Sequence, residues 1–185
     1  FTDEQQANGL EGKNGMADVL DEAKWGLDWL LKMHPGPDRM FNQIADDRDH
    51  IHMRMPAQDT QYGRGYERPV YYIIGEPQQR GKFMNNTTGT SSTAGKFASV
   101  FALAHYLLNT DSVFRKMDNR RSYYDKALSA YTFGLKKRGV TQTVSVKSPY
   151  IYAEDNWTDD MELAAVSIHT MLNNNKGSVE NGFYL

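Results

Sequence analysis

The segment from Asp18 to His34 constrains the chain more than any other. Leu20, Ala23, Leu27, Leu30 and Leu31 recur at helical spacing, and Trp25, Trp29 and Met33 form a second stripe four residues apart. A helix apolar on two faces is expected to lie between other elements rather than on a surface. Asp18, Asp21 and Glu22 sit at its start, where negative charge meets the positive end of the helix dipole, and Pro35-Gly36-Pro37 ends it.

Three more segments share this period. Ser92 to Asn109 places Ala94, Phe97, Ala98, Phe101, His105 and Leu108 on one face, with Thr93 or Ser92 as cap. Its small residues Ala94, Gly95 and Ala98 allow a neighbouring helix to approach closely. Arg121 to Lys137 carries Tyr124, Ala127, Leu128, Tyr131 and Leu135, and Thr158 to Leu172 carries Met161, Ala164, Ala165, Ile168 and Leu172. Between Pro35 and Ser91 the pattern changes. Five of the six prolines fall there, with only short β-like runs such as Met40–Ile44 and Val70–Ile74. Tyr62, Tyr66, Tyr71, Tyr72 and Phe83 make the stretch too aromatic for a disordered linker. The pattern predicts an all-α protein of antiparallel helix pairs, with long aromatic loops gathered at one end.

Composition narrows the function classes. The 185 residues, with formal net charge −2, suffice for a sizeable core and carry no basic excess of the kind nucleic-acid binding needs. The absence of cysteine excludes disulfide frameworks, thiolate metal sites and a cysteine nucleophile. No apolar run approaches the roughly 20 residues of a membrane helix. Mean hydropathy is −0.67, low for a chain that is 12% aromatic. A start at Phe1 and an end at Phe183-Tyr184-Leu185 read as a mature or trimmed piece.

Several clusters carry candidate chemistry. Asp46-Asp47-Arg48-Asp49-His50 offers a carboxylate beside an imidazole, suited to orienting a sugar or to acid/base work. Composition favours the plainer reading of a turn whose Asp side chains satisfy backbone NH groups. His50 and His52 alternate as metal ligands would, but no third ligand follows at a usable spacing. Tyr150 to Glu162 is the densest constellation. It sets Tyr152 and Trp157 among Glu154, Asp155, Asp159 and Asp160 at the mouth of a helix. An aromatic face stacks on pyranose C–H groups while carboxylates accept hydroxyl hydrogen bonds, so this mixture suits sugar recognition. It equally suits a cap at Thr158, dipole-complementing acids and a Trp157 staple. Asn85 to Ser92 leads into a helix and could hold an anion, but it lacks Walker lysine spacing, which favours a capping loop. Asn85, Asn86 and Asn156 begin glycosylation sequons.

The helix from Asp18 to Met33 resembles the early helix of glycoside hydrolase family 9 catalytic domains, the cellulase and endoglucanase family. Arg68-Pro69-Val70-Tyr71-Tyr72, then Ser92-Thr93-Ala94-Gly95-Lys96-Phe97-Ala98, continue the likeness. Tyr152 to Ala165, with its tryptophan and acidic pair, completes it in the family's order. The resemblance implies an (α/α)6 barrel of the six-hairpin glycosidase type, residues 1–185 being a portion of one such catalytic domain. It implies an inverting hydrolase of β-1,4-glucan, secreted or periplasmic, whose partner is a β-linked polysaccharide or oligosaccharide.

The family's Asp-Ala-Gly-Asp base motif and its C-terminal Glu motif are both missing. No catalytic residue is therefore expected in this chain, which should be inactive without the remainder of its barrel. Asp49-His50 matches the family's Asp-His step, so the resemblance makes His50 a contact to sugar hydroxyls near the scissile bond. It makes Trp157 a stacking residue and Tyr152 and Asp160 cleft neighbours. Arg54 stands where many members place an aromatic soon after Asp-His. That departure keeps an alternative open: a helical-barrel carbohydrate protein acting on another linkage, such as amino-sugar oligosaccharides, or binding without catalysis. No cofactor is implied within the chain, and a structural calcium in the parent is left open.

Overall fold

The computed structural model describes residues 3, 12–50, 53–63, 67–80, 83–117, 122–144 and 153–174, apart from the side chains of 47, 50, 56, 80, 116 and 117. Its helices are α1 (Asp18–Met33), α2 (Ser91–Thr110), α3 (Ser112–Met117), α4 (Ser122–Lys136) and α5 (Thr158–Asn174). The architecture is all-α, a portion of an (α/α)6 barrel. Two small antiparallel ribbons accompany the helices, β1 (Phe41–Ile44) with β2 (Val70–Tyr72), and β3 (Gln79–Arg80) with β4 (Phe83–Met84). The β-like runs read from sequence thus become one ribbon.

Helix α2 is the hub, packing most extensively on α5 and α4. The small residues explain this. Ala94, Ala98, Ala102 and Phe101 are completely buried. A Cβ added to Gly95 would lie 2.7 Å from the backbone carbonyl of Asp160, so only glycine allows α5 this close. Helices α2 and α4 are antiparallel: Thr90 meets Lys137 at one end, and Phe101 stacks on Tyr123, 6.1 Å between centroids, farther down. The core also takes Phe114 from α3, a helix too short for periodicity to reveal and capped by the Asp111 carboxylate on the amides of Val113 and Phe114.

Two expectations change. Helix α1 is not sandwiched within the described residues: Leu27 and Met33 are buried, but Trp25 is 71% exposed. The repeat identified apolar residues correctly, yet a stripe is buried only where a partner stands opposite it. The caps differ as well. Ser92 and Thr93, the expected caps of α2, lie inside it, with Ser92 Oγ accepting the Thr141 amide. Thr90 and Ser91 ahead of them turn their hydroxyls away from their own helix, onto the carbonyls of Phe133, Lys137 and Gly134 at the end of α4. At α5 the capping acceptor is Asn156, which receives the amides of Trp157 and Thr158 and the Thr158 hydroxyl.

His34 closes α1 and ties it to α4. It is fully buried, Nδ1 lies 3.0 Å from the Arg39 carbonyl and Nε2 lies 3.0 Å from Ser129 Oγ. A carbonyl oxygen only accepts, so Nδ1 carries the proton and Nε2 accepts from Ser129. Burial lowers its pKa; the Arg39 carbonyl opposes this and the Lys126 charge adds to it.

Candidate functional site

The end of α1, the starts of α2 and α5 and the end of α4 meet at one end of the molecule, together with the connections between them. Polar zippering holds this end together. The amides of Thr88 and Gly89 bond to the Val140 carbonyl, and Thr141 and Gln142 donate to Ser92 Oγ and Thr87 Oγ1. Gly139, at φ 149°, sits so close to Thr88 that a side chain there would collide with it. Asn85 donates to the carbonyls of Gln142 and Thr143, Gln43 and Val144 exchange two hydrogen bonds, and Gln142 Nε2 reaches the Glu154 carbonyl. The hydroxyl-rich segment from Asn85 to Ser92 is thus consumed in joining α2 to α4. Asn85, buried and bonded twice through its amide nitrogen, has no room for a glycan.

Charged groups order the long excursion after β1. Ala45 adopts φ 66°, an uncommon conformation for a residue with a side chain, just ahead of the Asp47–His50 turn. Asp46 receives the Arg48 amide at 3.0 Å, the Arg48 guanidinium at 2.6–2.7 Å and the Tyr71 hydroxyl at 2.5 Å. Burial works against its charge, but the hydrogen bonds from Arg48 and Tyr71 prevail and bring it from 3.8 to about 2. The plain turn reading of this acidic cluster therefore holds for Asp46.

Beyond it, two arginines and two aspartates close a ring. Arg54 reaches Asp49 at 2.5 Å and Asp59 at 3.3 Å, and Arg68 reaches the same two carboxylates at 3.1 and 2.8 Å. The Gln61 amide on Asp59 and then the two arginines hold that carboxyl below its ordinary value against the effect of burial. The Tyr62 ring lies against both Arg48 and Arg68, 4.8 and 5.2 Å from their guanidinium carbons. Burial pushes its phenol up, and the Asp46 carboxylate adds to this. An open cleft of about 570 Å³ runs over Arg54 and Asp59, lined also by Met53, Met55, Gln58, Thr60 and Gln61.

At the mouth of α5, Lys96 of α2 bridges Glu154 at 2.5 Å and Asp160 at 2.7 Å. Burial raises the Asp160 carboxyl, and the neighbouring Glu154 and Asp159 add to it while Lys96 opposes. The two carboxylates, despite the burial of its stem, keep Lys96 strongly charged. Trp157 is half-buried beside them, its carbonyl accepting the Met161 amide.

Of the residues read from sequence, Arg54 falls in the charged ring and Trp157 and Asp160 at the α5 mouth. His50 ends the turn that Asp49 anchors; its side chain, Tyr152 and His52 lie outside the described residues. Asp59, Arg68 and Tyr62 were not singled out as site residues. Tyr62 stood in the aromatic loop pattern and Arg68 opened the Arg68-Pro69-Val70-Tyr71-Tyr72 resemblance, whereas Asp59 carried no signal. Among the described residues no three His, Asp or Glu side chains converge to hold a metal ion, and no helix is long and apolar enough to cross a membrane.

The family model of glycosyl hydrolase family 9 matches residues 3–181. Endoglucanase 19 of Arabidopsis thaliana is 26% identical over 168 residues, covering 89% of this chain and 23% of its own length. Endoglucanase 6 of the same plant is 25% identical over 174 residues, 92% of this chain and 24% of its own. Endoglucanase 1 of Oryza sativa subsp. japonica is 27% identical over 115 residues, 60% of this chain and 17% of its own. The chain spans about a quarter of the length of the two Arabidopsis relatives.

Proposed function

The chain belongs to glycosyl hydrolase family 9, and on that premise we propose that the protein carrying it hydrolyses β-1,4-linked glucan with inversion at the anomeric carbon. The single observation that carries this reading is the family match across residues 3–181, made by a chain whose helix ends and polar loops gather at one end. Inversion needs a general acid and a general base about 6.5–9.5 Å apart, with a water between the base and the sugar. On this reading both carboxylates come from the remainder of the barrel, and the segment supplies one wall of the cleft. The chain alone is then inactive, and the enzyme is secreted or periplasmic, where its polymer is.

In that wall His50 contacts sugar hydroxyls near the scissile bond and Trp157 stacks on a ring face. Tyr152, Asp160 and Arg54 are neighbours that accept or donate to hydroxyls. The remainder of the barrel also covers apolar positions that are exposed here, among them Leu103 of α2 and Leu163 and Val166 of α5. One observation favours a second reading. Among the described residues the cleft over Arg54 is lined by thioethers, amides and a compensated charge pair, with no aromatic face. Such a lining fits a carbohydrate protein for another linkage, including amino-sugar oligosaccharides, or one that binds without cleaving.

The test is reducing-sugar release by the full-length protein on carboxymethyl cellulose, mixed-linkage glucan and chitooligosaccharides, with the anomer of the first product read by NMR. Release from the two glucans as the α-anomer is expected, and the isolated segment should release nothing. Activity confined to chitooligosaccharides, or a β-anomeric first product, overturns the proposal.

A further inference from the structure

We infer that Asp59 is a positioning residue: by pairing with Arg54 and Arg68 together it holds Asp49, and through it the Asp47–His50 turn, against the cleft. That this turn serves glycan binding rests on the function proposed above; that Asp59 fixes the turn does not.

The geometry is a closed circuit. Each arginine touches both aspartates, so the turn, the segment from Arg54 to Gln61 and the approach to β2 are joined through four side chains. Asp59 is its most secluded member, with 3% of its side chain exposed against 18% for Asp49. It is also the most firmly placed, because its other oxygen accepts the Gln61 amide at 3.0 Å. Among the described residues between the turn and Asp59, the large apolar side chains do not do this work instead. Met53 and Met55 between the turn and Asp59 are 98% and 66% exposed, and the regular structure nearby is two single turns and a short ribbon. Acceptors are already scarce in the ring: Arg54 Nη1 is buried without a partner among the described residues. Removing the Asp59 charge would leave two guanidinium groups sharing Asp49 alone, and a part-buried cation without its partner is costly. The turn would then loosen while the helices, held by apolar contacts elsewhere, would not.

The experiment uses the full-length protein and its Asp59→Asn variant, with amide hydrogen exchange and steady-state kinetics on cellotetraose. Exchange at residues 47–50 should rise about tenfold or more while α2 and α5 change less than about twofold. KM should rise about tenfold with kcat changed less than about threefold, since the chemistry lies elsewhere. Arg68→Lys keeps the charge but loses the fork, and should give the same pattern at smaller amplitude even if Asp59→Asn fails to fold. Unchanged exchange at 47–50, or exchange rising equally in α2 and α5, overturns the positioning role. Raised exchange with an unchanged KM overturns its link to the cleft. A protein that does not cleave cellotetraose defeats the function proposal alone, because the exchange measurement still decides the role of Asp59.

Discussion

Replacing Gly95 by alanine sets two effects of known size against each other. Alanine is favoured over glycine inside a helix by about 0.8–1 kcal/mol, so on propensity alone α2 should gain stability. The structure opposes this. The new Cβ would stand 2.7 Å from the backbone carbon and oxygen of Asp160 and 3.0 Å from its Cβ. Carbon contacts become comfortable near 3.5 Å, so α5 must retreat by roughly 0.8 Å. It is poorly free to do so, because Lys96 holds Asp160 and the Met161 thioether packs beside Gly134. Overpacking of this kind costs about 1–3 kcal/mol. The clash therefore outweighs the propensity, and Gly95→Ala should destabilise by up to about 2 kcal/mol. Gly26 is the matched control, a helical glycine in α1 with nothing among the described residues within 4 Å of its would-be Cβ. Gly26→Ala should stabilise by roughly 0.5–1 kcal/mol. Urea unfolding followed by circular dichroism at equal m-values reads both, and the two midpoints should move in opposite directions. A Gly95→Ala midpoint that rises with that of Gly26→Ala would show that the backbones of α2 and α5 are not in contact there.

Acid should act on this protein in two separated steps. The His34 pKa is lowered, so the unfolded chain binds the proton more readily; stability is full above about pH 6.5 and declines as pH falls below it. His34→Gln should flatten that decline in urea midpoints between pH 7 and 5, at the cost of lower stability at pH 7. Asp46 behaves in the opposite range. Its carboxyl falls from 3.8 to about 2, worth about 2 kcal/mol present above pH 4 and lost only as pH drops through 2. Asp46→Asn should therefore destabilise equally at pH 7 and pH 5, and a loss confined to pH 7 would contradict the assignment. Trp157→Ala in the full-length protein should lower kcat/KM on β-glucan about tenfold with little change in Tm, as expected of a half-buried stacking surface. A large fall in Tm would instead make Trp157 a packing staple of α5.

The helices were legible because helical periodicity and small residues are local facts. Ala94, Gly95 and Ala98 announced a close neighbour, and the neighbour is α5 on α2. What periodicity could not disclose is which apolar stripe finds a partner: Trp25 and Met33 share a stripe, yet one is exposed and the other buried. Caps were misassigned for a related reason. Ser and Thr near a helix start usually serve that start, but the Thr90 and Ser91 hydroxyls meet the unsatisfied carbonyls of another helix, a demand visible only once α4 stands beside α2.

The excursion after β1 was legible as ordered but not as a circuit, and the reason is physical. Its pairings join Asp49 to Arg54 and Arg68, and Asp59 to the same two arginines, across irregular backbone where no period relates partner to partner. A charge in such a stretch looks solvated until its counterion is placed, so Asp59 carried no signal and Arg54 looked like a departure facing the sugar. With the partners in place, Arg54 has a structural occupation before it has a binding one: 12% of its side chain is exposed and two carboxylates claim it. A sugar reaching the cleft would meet a neutralised pair rather than a free cation. The cleft is therefore suited to uncharged hydroxyl or amide groups, and a polyanionic glycan would find little attraction there.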